Sequence, residues 1–259
     1  MLDNYQQAAF YNVDQLAQEI GVSNATVVRL AYKLGYPGFS ALQRQIQNMV
    51  KQKISLVDRF DERILVDEDK QSIFRKSIER DLENIRATYT CLNDDTLQDS
   101  VEVLLEAKHI YTFGQRSSYA LAYYAAFYFN QILNNTALLS TNEGCYPEQL
   151  LKMSTSDLLI TFCFPRYSKL SFNITKFAHE NQVKTMVITD NLIGPLTPYA
   201  DLVLPCRYEG VSYYDSSVAA VCIINAIAAG LAKAEVGKVK KSLQKIERAV
   251  AYWDFFIDK

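Results

Sequence analysis

Two short stretches of this chain carry residue types that hold small anions. The first, TFGQRSSYALA at 112–122, joins an apolar run to a helical pattern through one glycine and two hydroxyls. Gly114, Ser117 and Ser118 fit an anion site, because unpaired N–H groups at a helix start and the helix dipole both point into the preceding turn. The same hydroxyls would also serve as a plain helix cap, and the residues alone leave both readings open. Gln115 and Arg116 complete that loop. The second stretch, CFPRYSKLS at 163–171, ends another apolar run ahead of another helical pattern. Arg166, Tyr167 and Ser168 at a helix entrance suit a bidentate clamp on an anion; a surface arginine paired with a carboxylate is the alternative. Ligands of open parallel sheets gather at the carboxyl ends of strands, so the two loops are expected to face one crevice.

Acid-base chemistry has less to work with. Glu209 follows the fifth apolar run, but a base needs a partner that moves protons. The two histidines stand elsewhere, His109 beside Lys108 at the start of a run and His179 within a helical pattern. No Ser-His-Asp order, metal-ligand cluster, dinucleotide fingerprint or Walker loop occurs, so no catalytic residues, metal or cofactor are expected. Five cysteines, Cys91, Cys145, Cys163, Cys206 and Cys222, form no C-x-x-C pair and are odd in number, which argues against a disulfide framework and for the cytoplasm. No secretory leader pattern opens the chain.

A different chemistry is legible at 13–34. Asn12 and Gln15 are spaced as a capping box ahead of Val13, Leu16, Ala17 and Ile20 at helical intervals. After Gly21 a second helix begins past Ser23, with Val27, Leu30, Ala31 and Leu34 inward, and Gly35, Pro37 and Gly38 end it. A small residue at the crossing, a turn residue tolerant of positive φ and an inward stripe on the second helix suit a helix-turn-helix, although any amphipathic helix pair with an S-x-x-T start shares these features and the residues alone leave both readings open. Its open face presents Ser23, Asn24, Ala25, Thr26, Val28, Arg29 and Lys33. Small and β-branched side chains lie against base edges and thymine methyls, while Arg29 and Lys33 reach phosphates or guanine. The formal net charge of −2 offers no attraction to DNA by the whole molecule. Residues 1–55 carry five basic against three acidic side chains, a local net of +2, so a homo-oligomer that doubles the contacts is expected.

The elements that must position these groups fall into three regions: 1–55 as a small all-α helix-turn-helix domain, 56–106 as a linker with connector helices near 68–91 and 94–106, and 107–259 as an α/β domain. In the last, apolar runs near 109–113, 136–140, 157–163, 184–189 and 202–205 alternate with helical patterns near 117–133, 168–181, 213–233 and 238–256. Continuous apolar strands alternating with helices imply a five-stranded parallel sheet covered on both faces. The helix at 120–133 is apolar or aromatic almost all round, which implies a subunit interface and hence a dimer or tetramer. The apolar stretch at 218–234 is broken by Asn225, Gly230 and Lys233, so a buried helix and no membrane span is expected.

The string VDQLAQEIGVSNATVVRLAYKLGYPGFSALQRQI resembles the helix-turn-helix of the RpiR family of bacterial transcription regulators, patterned LA-x-x-x-GVS-x-AT-(V/I)-x-R-(F/L)-x-x-x-LG(F/Y)-x-GF. Family members carry further helices ahead of this point, and MLDNYQQAAFY resembles the end of one of them, so a shortened start with weaker DNA binding is an expectation. Residues 108–234, including VITDNLIGPLTPYADLVLPC, resemble the sugar isomerase (SIS) domain that follows in such regulators. Two departures bear on the ligand. The family's G-x-G-x-S loop reads Gly114-Gln115-Arg116-Ser117-Ser118 here, and its phosphate loop S-x-S-G-x-T reads Cys163-Phe164-Pro165-Arg166-Tyr167-Ser168, where Pro165 lacks a donor. FPRYS together with EGVSYYDS at 209–216 resembles a subset of these regulators with a modified effector site.

The resemblance implies a ligand-responsive regulator of a double-stranded DNA operator, with a small anionic or phosphorylated sugar-like effector held by Arg116 and Arg166. It also places Glu209 where SIS isomerases keep acid-base groups. The alternatives are a sugar-phosphate isomerase and a sensor that has lost its hold on DNA.

Overall fold

The structure, a computed structural model, describes residues 11–33, 36–44, 46, 55–65, 72–141, 144–192 and 194–255. Leu34, Gly35, the acidic junction at 67–69, the expected helix end at 1–10 and most of the expected third helix beyond residue 44 lie outside them. Two compact units divide between Asp67 and Glu68.

In the first unit, α1 spans Val13–Glu19 and α2 spans Asn24–Lys33. The capping box forms as expected: the Gln15 N–H donates to Asn12 Oδ1 at 2.8 Å, and the Asn12 N–H donates to Gln15 Oε1 at 2.9 Å. Gly21 turns the chain at φ 67°, a left-handed conformation that glycine adopts without a Cβ penalty. The Val22 N–H then closes on the Ala17 carbonyl at 2.9 Å. Leu16, Ala17 and Val27 form the small core, with Tyr11, Val13, Ile20 and Phe39 packed on it. Ala31 is buried as expected, while Leu30 is only half-buried. Two short elements escape the periodicity argument: α3 at Leu56–Phe60, capped by Ser55 and Asp58, and a π-helical turn at Asp61–Leu65. Five residues span too few turns to show a face.

In the second unit, α4 (Ile73–Cys91) and α5 (Asp94–Glu106) precede β1 (Ile110–Gly114), α6 (Ser117–Leu133), β2 (Thr136–Leu138), α7 (Tyr146–Leu151) and β3 (Leu158–Phe162). Then follow α8 (Lys169–Glu180), β4 (Lys184–Thr189), β5 (Leu202–Pro205), α9 (Val218–Ala234) and α10 (Val236–Tyr252). All strand pairs are parallel, in the order β2-β1-β3-β4-β5. This is the doubly wound arrangement, whose connections reverse direction between β1 and β3. Every residue of β3 is buried. Alternate side chains serve opposite faces: Leu158, Ile160 and Phe162 join the core with Phe129 and Ile224, while Leu159 joins Phe113 and Ile174.

The connector helices α4 and α5 pack against α9 and belong to the second unit. The pattern does not anticipate α7, a six-residue helix with a proline in its first turn. The helix expected from 213 starts at Val218, because Gly210 and the residues after it form a tight loop. Among the described residues no single helix is long and apolar enough to cross a membrane. The α9–α10 pair passes that composition test only together, bent by 107°. Seven residues of α9, from Ala219 to Leu231, are buried in the core.

Candidate ligand crevice and nucleic-acid face

β1 and β3 are neighbours, so their carboxyl ends deliver the loops at 115–118 and 163–168 to the same edge, at the switch point. A crevice of about 60 Å³ lies there. Of the expected residues it brings together Gln115, Ser117, Ser118, Arg166 and Ser168. Sequence reasoning missed the rest of the lining, notably Phe164, Ser171 and Tyr208.

Two helices begin at the crevice, α6 with 17 residues and α8 with 12, and each aims its positive end at it. At α6 the plain-cap reading of the serines does not hold. The N-cap is Arg116, with no side-chain cap bond, and Ser117 is already helical. Arg116 stands at φ 54°, ψ −123°, a backbone shape natural to glycine, so the loop keeps the form of a glycine-bearing turn despite its arginine. Gly114 explains how the helix comes so close: a Cβ there would stand 2.3 Å from the Ser118 carbonyl oxygen.

At α8 the cap is Ser168, whose Oγ accepts the Ser171 N–H at 3.3 Å. The Ser171 hydroxyl is buried at 1% exposure and, among the described residues, finds no oxygen or nitrogen partner, only the Cys163 thiol beside it. An unpaired buried hydroxyl is uncommon enough to require an account, and a ligand oxygen would supply one. Burial pushes the Cys163 thiol up to about 11, so that wall carries no competing negative charge. Arg166 sits exposed at the rim with φ 68° and makes no ion pair with any described residue, so it is not the ordinary paired surface arginine.

Four expected residues lie elsewhere. Gly114 is the packing contact described above. Arg116 is exposed outside the crevice lining. Tyr167 turns away: its hydroxyl donates to Asp190 Oδ1 at 2.5 Å and accepts from Asn191 Nδ2 at 3.3 Å, and its ring packs with Cys163, Val187 and Leu196. Burial first, and then the Asp190 charge, hold the Tyr167 phenol far above its ordinary pKa, so it remains a neutral donor. Glu209 points to α4, where its carboxylate meets Arg80 at 3.3 Å. His109 precedes β1, at the opposite edge of the sheet, and pairs with Asp157 at 2.9 Å. His179 closes α8 against the Tyr199 ring. Neither histidine reaches the crevice.

On the first unit, Ala25, Thr26, Arg29 and Lys33 are exposed on one side of α2, and Val28 is half-buried. Ser23 caps the helix, its hydroxyl 2.9 Å from that of Thr26. Asn24 donates to Asp14 on α1, which ties the helix start to its neighbour. Arg29 reaches back to Thr26 at 3.3 Å, lying along the helix.

Residues 1–53 match the family model described as the helix-turn-helix domain of the rpiR family, and residues 103–229 match the SIS domain. The chain thus carries the two domains of RpiR-type regulators. The chain is similar in fold to the sugar isomerase domain of an RpiR transcription factor from Sphaerobacter thermophilus, at TM-score 0.66 and 25% identity over 69% of this chain and 99% of that one. The NanR protein of Vibrio vulnificus, solved with ManNAc-6P, shares the fold at TM-score 0.64 and 19% identity over 97% of this chain and 90% of that one. An HTH-type transcriptional regulator of Providencia stuartii is 26% identical over 209 residues, covering 81% of this chain and 73% of that protein. Relatives of the chain are thus named as regulators, and the pairing of a helix-turn-helix with an SIS domain matches the sequence expectation.

Proposed function

We propose that this chain is a DNA-binding transcriptional regulator whose SIS unit senses a small anionic metabolite of the phosphorylated-sugar class. The observation that carries the reading is the buried, unpartnered Ser171 hydroxyl at the start of α8, in a crevice that also receives the start of α6. Three phosphate oxygens need several donors in a small space, and two helix starts with Ser117, Ser118 and Ser171 supply them. Arg166 adds charge at the rim. The NanR neighbour, solved with a phosphorylated sugar, supports the same ligand class.

The isomerase alternative requires a proton-transferring group over the ligand. Glu209 is engaged by Arg80 and both histidines lie away from the crevice, which supports a non-enzymatic role. Double-stranded DNA is the partner of the exposed α2 face, and the cytoplasm is the compartment that such a role requires. A homo-oligomer, dimer or tetramer, is supported by α6: Tyr119, Tyr123 and Phe127 recur every fourth residue, with Tyr123 and Phe127 57% and 55% exposed. A row of exposed aromatics at helical spacing is a surface for burial against a second copy.

The test pairs two readouts on the full chain. A hexose 6-phosphate that binds the crevice raises Tm, by about 2.7 kcal/mol of added stability at a hundredfold excess over Kd; Ser171→Ala and Arg166→Ala should each reduce that shift. A shift untouched by both variants removes the ligand from this crevice. Arg29→Ala and Lys33→Ala should each weaken binding to selected genomic fragments and lower the salt slope by about 1; unchanged affinity and slope take α2 out of the DNA interface.

A further inference from the structure

One wall of the crevice stands on a loop. Tyr208, between β5 and α9, lies flat on Phe164 with ring centroids 4.1 Å apart and planes 13° from parallel. Both rings line the crevice, whose volume is about 60 Å³. Sites that bury a whole ligand of this size enclose about 300–1,000 Å³, so full burial of a phosphorylated sugar here calls for displacement of a wall. Of the other walls, Phe162 ends a buried strand and the start of α6 is pressed against β1 at Gly114, while residues 163–168 form the short loop that leads into α8. The Tyr208 segment has no regular secondary structure.

That segment is fastened to α4 at backbone level. The Arg207 N–H donates to the Thr88 hydroxyl at 2.8 Å, the Glu209 N–H to Asn84 Oδ1 at 3.3 Å, and Asn84 Nδ2 to the Glu209 carbonyl at 2.6 Å. Arg80 Nη1 meets the Glu209 carboxylate at 3.3 Å. Arg80, Asn84 and Thr88 are spaced four apart, so they form one stripe of the helix. Asn84 and Thr88 are 3% and 5% exposed. Neither residue favours a helix interior, and breaking their bonds would leave buried polar groups unpaired. Movement of the 207–209 backbone is therefore easier with α4 than against it.

We propose that this stripe transmits crevice occupancy: displacement of Tyr208 is passed through the 207–209 backbone to Asn84 and Thr88, and so to α4. The proposal deepens the reading of the crevice as the ligand site and rests on it for its biological use. The helix is well placed for the task, since α4 starts at Ile73, shortly after the helix-turn-helix unit ends at Asp67 in the sequence. An element with two arrangements, biased from the crevice, is what coupling between sites requires.

The test needs no ligand, so its failure is distinct from failure of the ligand reading, which the hexose phosphate titration addresses. Amide hydrogen exchange is measured on the full chain for Tyr208→Ala and for Tyr208→Leu, the latter keeping apolar bulk while losing the stack. Exchange at 80–91 should quicken by at least about threefold relative to α8 in both variants. The added effect should vanish when Thr88→Val or Asn84→Ala is combined with either. Unchanged exchange in α4 after replacement of Tyr208 overturns the proposal, as does an effect that persists undiminished after the stripe is removed.

Discussion

A Cβ on Gly114 would stand 2.3 Å from the carbonyl oxygen of Ser118, four residues on. The close fit of β1 to the start of α6 sets the position of every donor on that side of the crevice. Because the opposing atom is backbone, no side chain can swing aside to make room. Gly114→Ala is therefore expected to cost about 3 kcal/mol, at the upper end of overpacking penalties. In a unit of this size that lowers Tm by roughly 6–12 °C. Thermal unfolding of the variant checks it, and a Tm within a degree of the parent would show that the approach relaxes freely.

Arg116 holds a glycine-like backbone, at φ 54° and ψ −123°. Strain of this kind costs about 1–3 kcal/mol. Arg116→Gly removes it but adds freedom to the unfolded chain, worth about 0.4–1 kcal/mol in the opposite direction. The variant should be as stable as the parent or up to about 2 kcal/mol more stable. Denaturant unfolding measures this directly, and a clear loss of stability would mean that the guanidinium makes a contact that matters more than the strain.

Tyr167 separates structure from ligand binding. Its hydroxyl serves Asp190 and Asn191 rather than the crevice. Tyr167→Phe should cost about 1–3 kcal/mol, the penalty for leaving a partly buried acceptor short of a donor. The Tm shift produced by a hexose phosphate should survive that change. Loss of the shift in Tyr167→Phe, with Ser171→Ala unaffected, would move the ligand to the Asp190 side of β3.

Asp157 gives a pH dependence with a defined sign. Burial alone would raise its pKa, but the Ser154 N–H and hydroxyl, together with His109, outweigh that and hold the carboxyl below its ordinary value. A depressed folded pKa contributes stability that is complete above the unfolded value of about 3.9 and fades as pH falls through the folded value. The fall of Tm on acidification below about pH 5 should accordingly be shallower in Asp157→Asn, which is also less stable at neutral pH. Parallel Tm profiles for the parent and the variant would show that this carboxylate does not couple protonation to folding.

Local features are legible in residue order alone. The capping box at Asn12 and Gln15, the left-handed turn at Gly21 and the inward spacing of Leu16, Ala17 and Val27 are interactions between near neighbours, so they are written in residue order. The same is true of the five apolar runs that became parallel strands. Tertiary structure decided which loop residues meet. Pairing of β1 with β3 brings Ser118 to Ser171 and Phe164, and the return of the chain after β5 lays Tyr208 on Phe164. It also turned Tyr167 toward Asp190 and tied Glu209 to α4, two outcomes fixed by partners 23 and 129 residues away. Short-range periodicity carries no record of contacts at such separation, because they depend on strand order, and strand order is settled by burial of the whole sheet rather than by any one segment of it.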